Sequence, residues 1–144
     1  MSIKFNYIEP FRVQHALKVK EFLVNVLRAE KRVSKSINYI FCSDEYLLQI
    51  NKDFLQHDYL TDTITFDLST GDLIEAEIYI SIERVRDNAA TYNTSFKREL
   101  CRVMIHGVLH LAGYKDKTKS EITLMRSKEE HYLLLFEKNI NASL

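Results

Sequence analysis

The sequence predicts an α+β fold, a four-stranded mixed sheet packed with helices, and two observations predict it. Segments that alternate apolar and polar residues lie before Ser81, whereas helical periodicity dominates after it, so strands come early and helices late. Only three glycines and one proline occur in 144 residues, which favours long regular elements and short connections. No repeat, linker or low-complexity stretch divides the chain. Residues 1–144 are therefore expected to form one domain, long enough for a sizeable core.

Ile3 to Ile8 alternates and reads as a strand. From about Val13 to Arg32, Ala16, Val19, Leu23, Val26 and Leu27 recur at helical spacing. Ser36 to Cys42 reads as a second strand, with Ile37, Tyr39 and Phe41 on one face. Asp44 is a candidate cap for a helix through Leu55. Thr63–Leu68 and Leu73–Ser81 read as two more strands, joined by the turn signal Ser69-Thr70-Gly71-Asp72. Helices are then expected at about Ser81–Tyr92, Phe96–Leu111 and Lys119–Asn139. The last opens on a capping box, Thr118-x-x-Glu121.

The net charge is zero, so no global field draws the chain to nucleic acid or membrane. Cys42 and Cys101 lie in apolar segments and read as reduced core thiols, which fits a cytoplasmic setting. The first residues show no basic stretch followed by an apolar run, so no signal peptide is expected. No apolar segment approaches the roughly 20 residues of a membrane span.

The chemistry concentrates in His106-Gly107-Val108-Leu109-His110-Leu111-Ala112-Gly113-Tyr114-Lys115-Asp116. Histidines four residues apart on a helix point the same way, because four residues make about one turn. Gly113 marks the helix end, in the left-handed cap that glycine tolerates best. Asp116 follows on the exit loop. Two imidazoles and a carboxylate with a further position free is the arrangement of a catalytic zinc site. Phe96, Leu100, Val103, Met104, Gly107 and Leu111 form the apolar stripe of this helix. His106 and His110 lie on its flank, with Glu99 and Arg102 one to two turns earlier. Zinc peptidases of the His-Glu-x-x-His type place a glutamate base right after the first histidine. Gly107 stands there instead, which argues against a peptidase and suggests a close approach by a neighbouring segment or a substrate. His131, 21 residues past His110, is the alternative third ligand. His15 and His57 read as surface residues. Thr61 and Asp62 read as a turn and cap entering a strand, with the cleft wall as their alternative place.

These motifs resemble those of the YbeY-type rRNA maturation endoribonucleases. His-Gly-x-Leu-His-Leu-x-Gly-Tyr followed two residues later by a ligand is similar to that family's signature. Ile50-Asn51 and Asp58-Tyr59-Leu60-Thr61-Asp62-Thr63-Ile64-Thr65-Phe66 are similar to its Leu-Asn and Thr-Asp-Val-Leu-Ser-Phe segments, and Met125 and Glu129 match residues of its last helix. The resemblance spans about residues 40–130. It implies a metal-dependent, hydrolase-like domain that cuts single-stranded RNA in ribosome maturation. The cofactor it implies is one divalent metal ion, usually zinc, on His106, His110 and Asp116. Three positions depart from the family pattern. Asp116 stands where the family has a third histidine, and a carboxylate oxygen also ligates zinc, though it suits other divalent metals as well. Leu55 stands where the family has an arginine, so no bidentate fork is available there for a phosphate. Ala76-Glu77-Ile78 replaces Gly-Asp-Ile.

Lys97, Arg98, Arg102, Lys115, Lys117, Lys119, Arg126 and Lys128 gather around the motif in sequence. A positive rim would suit RNA phosphates. Tyr114, Lys115 and Lys117, beside the ligands, are the candidate substrate contacts, with Tyr114 able to stack a base or pack over the helix end. No side-chain general base is evident, so the expected catalyst is the metal and its water. Three functions follow. The first is an endoribonuclease acting on single-stranded RNA or rRNA. The second is a non-catalytic factor that binds RNA or ribosomal proteins around a structural metal, and the third is a metal hydrolase of some other small substrate.

Overall fold

The computed structural model describes the backbone of residues 2–57 and 59–143 and side chains as far as residue 139. In chain order the elements are β1 (Ile3–Tyr7), α1 (Ala16–Ala29), β2 (Val33–Cys42), α2 (Asp44–Leu55), β3 (Thr63–Asp67), β4 (Leu73–Ser81), α3 (Ile82–Thr91), α4 (Phe96–Leu111) and α5 (Lys119–Ser143). The sheet is four-stranded, in the order β1-β2-β4-β3. β1 and β4 both run parallel to β2, and β3 runs antiparallel to β4, so the sheet is mixed as expected.

The pleat divides the core. Ile37, Tyr39 and Phe41 of β2 and Ile74, Ala76, Ile78 and Ile80 of β4 share one face and pack against α1, α4 and α5. On the other face Cys42, Leu47, Ile50 and Ile64 form a smaller cluster beneath α2. Both thiols are buried and free, as the apolar context of the cysteines suggested. Two contacts seat α4 on the sheet. The buried Tyr39 hydroxyl donates to the Met104 carbonyl at 2.7 Å. At Gly107 an added Cβ would come within 2.9 Å of Ile78 Cδ1 and 3.2 Å of its Cγ2, so glycine permits the close crossing of α4 over β4. The segment that approaches Gly107 is therefore a strand of the protein itself.

Several boundaries differ from the sequence expectation. α1 starts at Ala16, not near Val13, because His15 takes a left-handed conformation (φ 54°) that ends the helix on its N-terminal side. β2 starts earlier, at Val33, across an irregularity in its pairing with β4 between Ser34 and Ser36 that breaks the alternation. α5 continues to Ser143, beyond Asn139. Ser43, not Asp44, caps α2, its Oγ accepting from the Tyr46 amide at 3.1 Å. Asp44 is taken by tertiary partners: its Oδ1 accepts from Ser81 Oγ at 2.7 Å and its Oδ2 from Arg84 at 2.8 Å. The Thr118–Glu121 capping box forms in both directions, with bonds of 2.9 and 3.2 Å. No helix among the described residues is long and apolar enough to cross a membrane.

Candidate metal centre

α4 is capped by Ser95, whose hydroxyl accepts from the Arg98 amide, and buries one stripe against the sheet. His106 and His110 sit on the border of that stripe, half-buried, with ring centroids 4.5 Å apart and nearly perpendicular. The helix ends in a reciprocal pair of bonds. Gly113 N–H donates to His110 O and Tyr114 N–H donates to Leu109 O, both at 3.0 Å, with Gly113 at φ 113°. This cap turns the chain back so that Asp116 faces the helix it has just left. Asp116 Oδ2 lies 3.4 Å from His106 Nε2 and 3.3 Å from His110 Nε2.

What stands behind each imidazole decides what it offers in front. His106 Nδ1 donates to Glu129 Oε2 at 2.5 Å, and His110 Nδ1 donates to the Tyr114 carbonyl at 2.9 Å. Both partners are acceptors, so in each neutral ring the proton sits on Nδ1 and the lone pair on Nε2. Two nitrogen lone pairs and a carboxylate oxygen thus converge with no hydrogen-bond donor between them. One ligand atom from each residue lies within 4.8 Å of the others. Among donor sets, this one fits a divalent cation. A cavity of about 330 Å³ opens beside it, walled by Thr61, Asp62, Thr63, Thr65 and Asp67 on one side and by His106, His110, Leu111 and Asp116 on the other. Thr61 and Asp62 therefore line the cleft.

The support behind the cluster is ionic and closed. Glu129 is only 1% exposed and Glu99 is 2% exposed. Arg102 bridges them, bonding Glu99 through Nε and Nη2 and Glu129 through Nη1 at 2.8 Å. Burial pushes the Glu129 carboxyl up, but His106 and Arg102 outweigh it and hold the group below the usual glutamate range. The neighbouring Asp62 goes the other way. Burial raises its carboxyl above the ordinary value against the pull of Arg102 and His106. The exit loop has its own anchor. The Tyr114 hydroxyl donates to Glu30 Oε1 at 2.6 Å, and the Tyr132 hydroxyl and Lys128 meet the other oxygen of Glu30.

His131 lies elsewhere: it is exposed on α5, its ring against Tyr132, and outside the cluster. His15 and His57 are exposed, as read. The basic residues divide. Arg98, Arg102, Arg126 and Lys128 are tied to Glu130, Glu137, Glu99, Glu129 or Glu30. Lys115 and Lys117 on the exit loop and Lys119 at the start of α5 stay exposed, Lys115 lining a separate cavity with Glu30 and Glu121. The roles of Glu129 and Glu30 were not apparent from sequence. Glu129 had a signal, since it falls on the apolar stripe of α5 with Met125, Tyr132, Leu133 and Phe136. A carboxylate in an apolar stripe needs a buried partner. Glu30 is 84 residues from Tyr114, and nothing local announces it.

A family model described as endoribonuclease YbeY matches residues 6–137. A Flavobacterium psychrophilum protein named endoribonuclease YbeY is 50% identical over 139 residues, spanning 96% of this chain and 99% of that one. A Cytophaga hutchinsonii protein of the same name is 50% identical over 126 residues, 87% of this chain and 88% of that one. A solution structure of a Thermotoga maritima protein superposes with a TM-score of 0.71 at 29% identity, covering 98% of this chain and 93% of its own.

Proposed function

The chain belongs to the endoribonuclease YbeY family, and from that premise we propose that it cuts single-stranded RNA in rRNA maturation through a divalent metal, zinc, held by His106, His110 and Asp116. One observation carries the reading: two Nε2 lone pairs and a carboxylate oxygen converge on an open cleft with no donor among them. A divalent cation there supplies Lewis acidity, polarising a phosphoryl oxygen and acidifying water.

The chain's own residues do the rest. Glu129 and the Tyr114 carbonyl orient the imidazoles and keep their protons on Nδ1. Arg102 pairs with both Glu129 and Glu99, and Arg126 reaches Glu129 at 3.4 Å, so two guanidinium groups balance the two buried carboxylates. Asp62 stands on the cleft wall, its carboxyl raised by burial against the pull of Arg102 and His106. Lys115 and Lys117 meet RNA phosphates, with Tyr114 fixing the loop that carries them. We take residues 1–144 as one domain working in the cytoplasm, where reduced Cys42 and Cys101 are at home. Its RNA lies within ribosomal precursors, with ribosomal proteins as neighbours.

Elemental analysis and a cleavage assay on single-stranded RNA test the proposal together. Purified protein should carry about one divalent ion per chain, and cutting should stop with chelator. His106→Ala with His110→Ala should lose both metal and activity, and Asp116→Ala should weaken metal binding more than His131→Ala. Equal cleavage by wild type and His106→Ala in matched preparations would end the enzyme reading.

A further inference from the structure

The cleft has two rims of opposite character. Beside Asp116 stand the exposed lysines 115 and 117, suited to phosphate. The other wall is entered through the segment between α2 and β3, and that rim carries no arginine. α2 ends at Leu55, and beyond it Tyr59 (57% exposed) and Leu60 (48%) stand out just before Thr61, whereas Phe54 packs edge-on to Phe66 on the opposite face of β3. Two large side chains exposed next in the chain to a cleft-lining residue call for a partner.

His57 and Tyr59 are both held by one buried residue. Asn51 lies within the fold, yet its Nδ2 donates 2.9 Å to the Tyr59 carbonyl and its own carbonyl accepts from the His57 amide at 3.0 Å. Held this way, the His57 and Tyr59 rings stack, with centroids 5.2 Å apart and planes 22° from parallel, and the Tyr59 hydroxyl bonds His57 Nδ1 at 3.0 Å. The bond ties up the polar groups of the two rings, and Tyr59 remains 57% exposed to extend the stack. Tyr59 precedes Thr61, which lines the cleft, by two residues, a chain distance of at most about 7 Å.

We propose that the stacked His57–Tyr59 pair is a base-stacking platform, receiving an unpaired base of the RNA strand whose backbone runs along the lysine rim. The proposal rests on the endoribonuclease reading for its ligand class. Single-stranded RNA fits because its bases are splayed and every base has a π-face, so aromatic side chains bind it without fixed sequence. Leu55 fits as well: a rim that reads bases has no need of a cation at the end of α2. Stacking on one side and phosphate contacts on the other would hold a single strand across the cleft and exclude a duplex, whose bases are already stacked.

The test uses full-length protein and decameric oligoribonucleotides, one intact and a set carrying a single abasic site at successive positions. Binding is measured after metal removal and cleavage with metal restored. Tyr59→Ala should raise the Kd for intact RNA by about 5- to 150-fold, which is ~1–3 kcal/mol for one stacked base. Tyr59→Trp should restore it. One abasic position should cost wild type the same factor and cost Tyr59→Ala nothing further. The salt dependence of binding should keep its slope in Tyr59→Ala and become shallower in Lys115→Ala with Lys117→Ala. Tyr59 is exposed, so an unchanged melting temperature identifies a folded variant. Should Tyr59→Ala bind and cut as wild type does, or lose affinity equally for intact and every abasic RNA, the platform is overturned while the enzyme reading stands. A defect confined to ribosomal-protein binding overturns it in favour of a protein-docking role. If instead wild type fails to cut RNA while Tyr59→Ala shows the abasic-matched binding loss, the platform stands and the enzyme reading falls.

Discussion

Two polar clusters in this molecule draw on similar side chains but end differently. Where α2 meets β4 and α3, both oxygens of Asp44 find donors, Ser81 at 2.7 Å and Arg84 at 2.8 Å, and charge cancels within the cluster. At the end of α4, Asp116 faces two imidazole lone pairs at 3.3 and 3.4 Å and finds no donor between them. The first cluster finds its partners within the fold, save for Arg84 Nε, which is buried without one among the described residues. The second is complete only on the side away from the cleft, where Glu129 and the Tyr114 carbonyl take the Nδ1 protons. Buried polar groups that hold a fold together mostly satisfy one another, whereas groups that serve a ligand turn free lone pairs toward a shared point.

The largest test of that contrast is Glu129→Ala, because Glu129 serves both purposes. It removes a buried carboxylate shared by Arg102 and His106. Breaking such a pair by deleting one partner costs about 3–5 kcal/mol, and Arg102 keeps Glu99, so the loss should fall near the lower figure. Metal affinity should fall by about 10–100-fold, because His106 loses the acceptor that sets its orientation. Denaturant melts and chelator competition measure the two losses. A variant that loses stability but keeps its metal would mean that Glu129 belongs to the fold alone.

Asp44→Asn probes the complete cluster and should cost about 1–2 kcal/mol, as hydrogen bonds to a charged group are lost or weakened. Metal content should not change. The pH dependence follows from the carboxyl itself. Burial raises it, but Arg84 and Ser81 outweigh burial and hold it below the usual aspartate range. A depressed folded value means that its stabilisation is fully present above the unfolded value near 4 and disappears as pH falls through the lower folded one. Wild type should therefore exceed Asp44→Asn in stability at neutral pH and converge with it in strong acid. Loss of metal in this variant would break the separation between the clusters.

How much of this was legible in the sequence depended on distance along the chain. The α4 motif was readable because the helix repeat fixes His106 and His110, and Gly113 fixes the turn that returns Asp116. The α+β class and all nine elements follow from local periodicity, with errors at their ends. Asp44 looked like a cap because capping is a local bond. The tertiary offer from Ser81 and Arg84, 37 and 40 residues away, took it, and Ser43 served the helix instead. Gly107 announced a close approach but not by what, since the Ile78 contact depends on how α4 crosses the sheet. Glu30 was invisible for the same reason, its partners lying on the exit loop and α5.

The smallest expected effect comes from Tyr114→Phe. The hydroxyl reaches Glu30, the residue that caps the end of α1, at 2.6 Å, whereas the contribution to the metal centre comes from the backbone carbonyl of Tyr114. The substitution removes one hydrogen bond. Glu30 keeps Tyr132 and Lys128, so the loss should be about 0.5–1.5 kcal/mol. Burial raises the Glu30 carboxyl, and bonds from Tyr114, Tyr132 and Lys128 lower it further than burial lifts it, so part of its acid resistance should vanish with the hydroxyl. Metal affinity should fall no more than about threefold, because the bonds from Gly113 and Tyr114 to the helix end hold the carbonyl in place without the side chain. A deficit as large as that of Glu129→Ala would show that the helix cap alone cannot position Asp116. The tether to Glu30 would then belong with the open cluster and not the closed one.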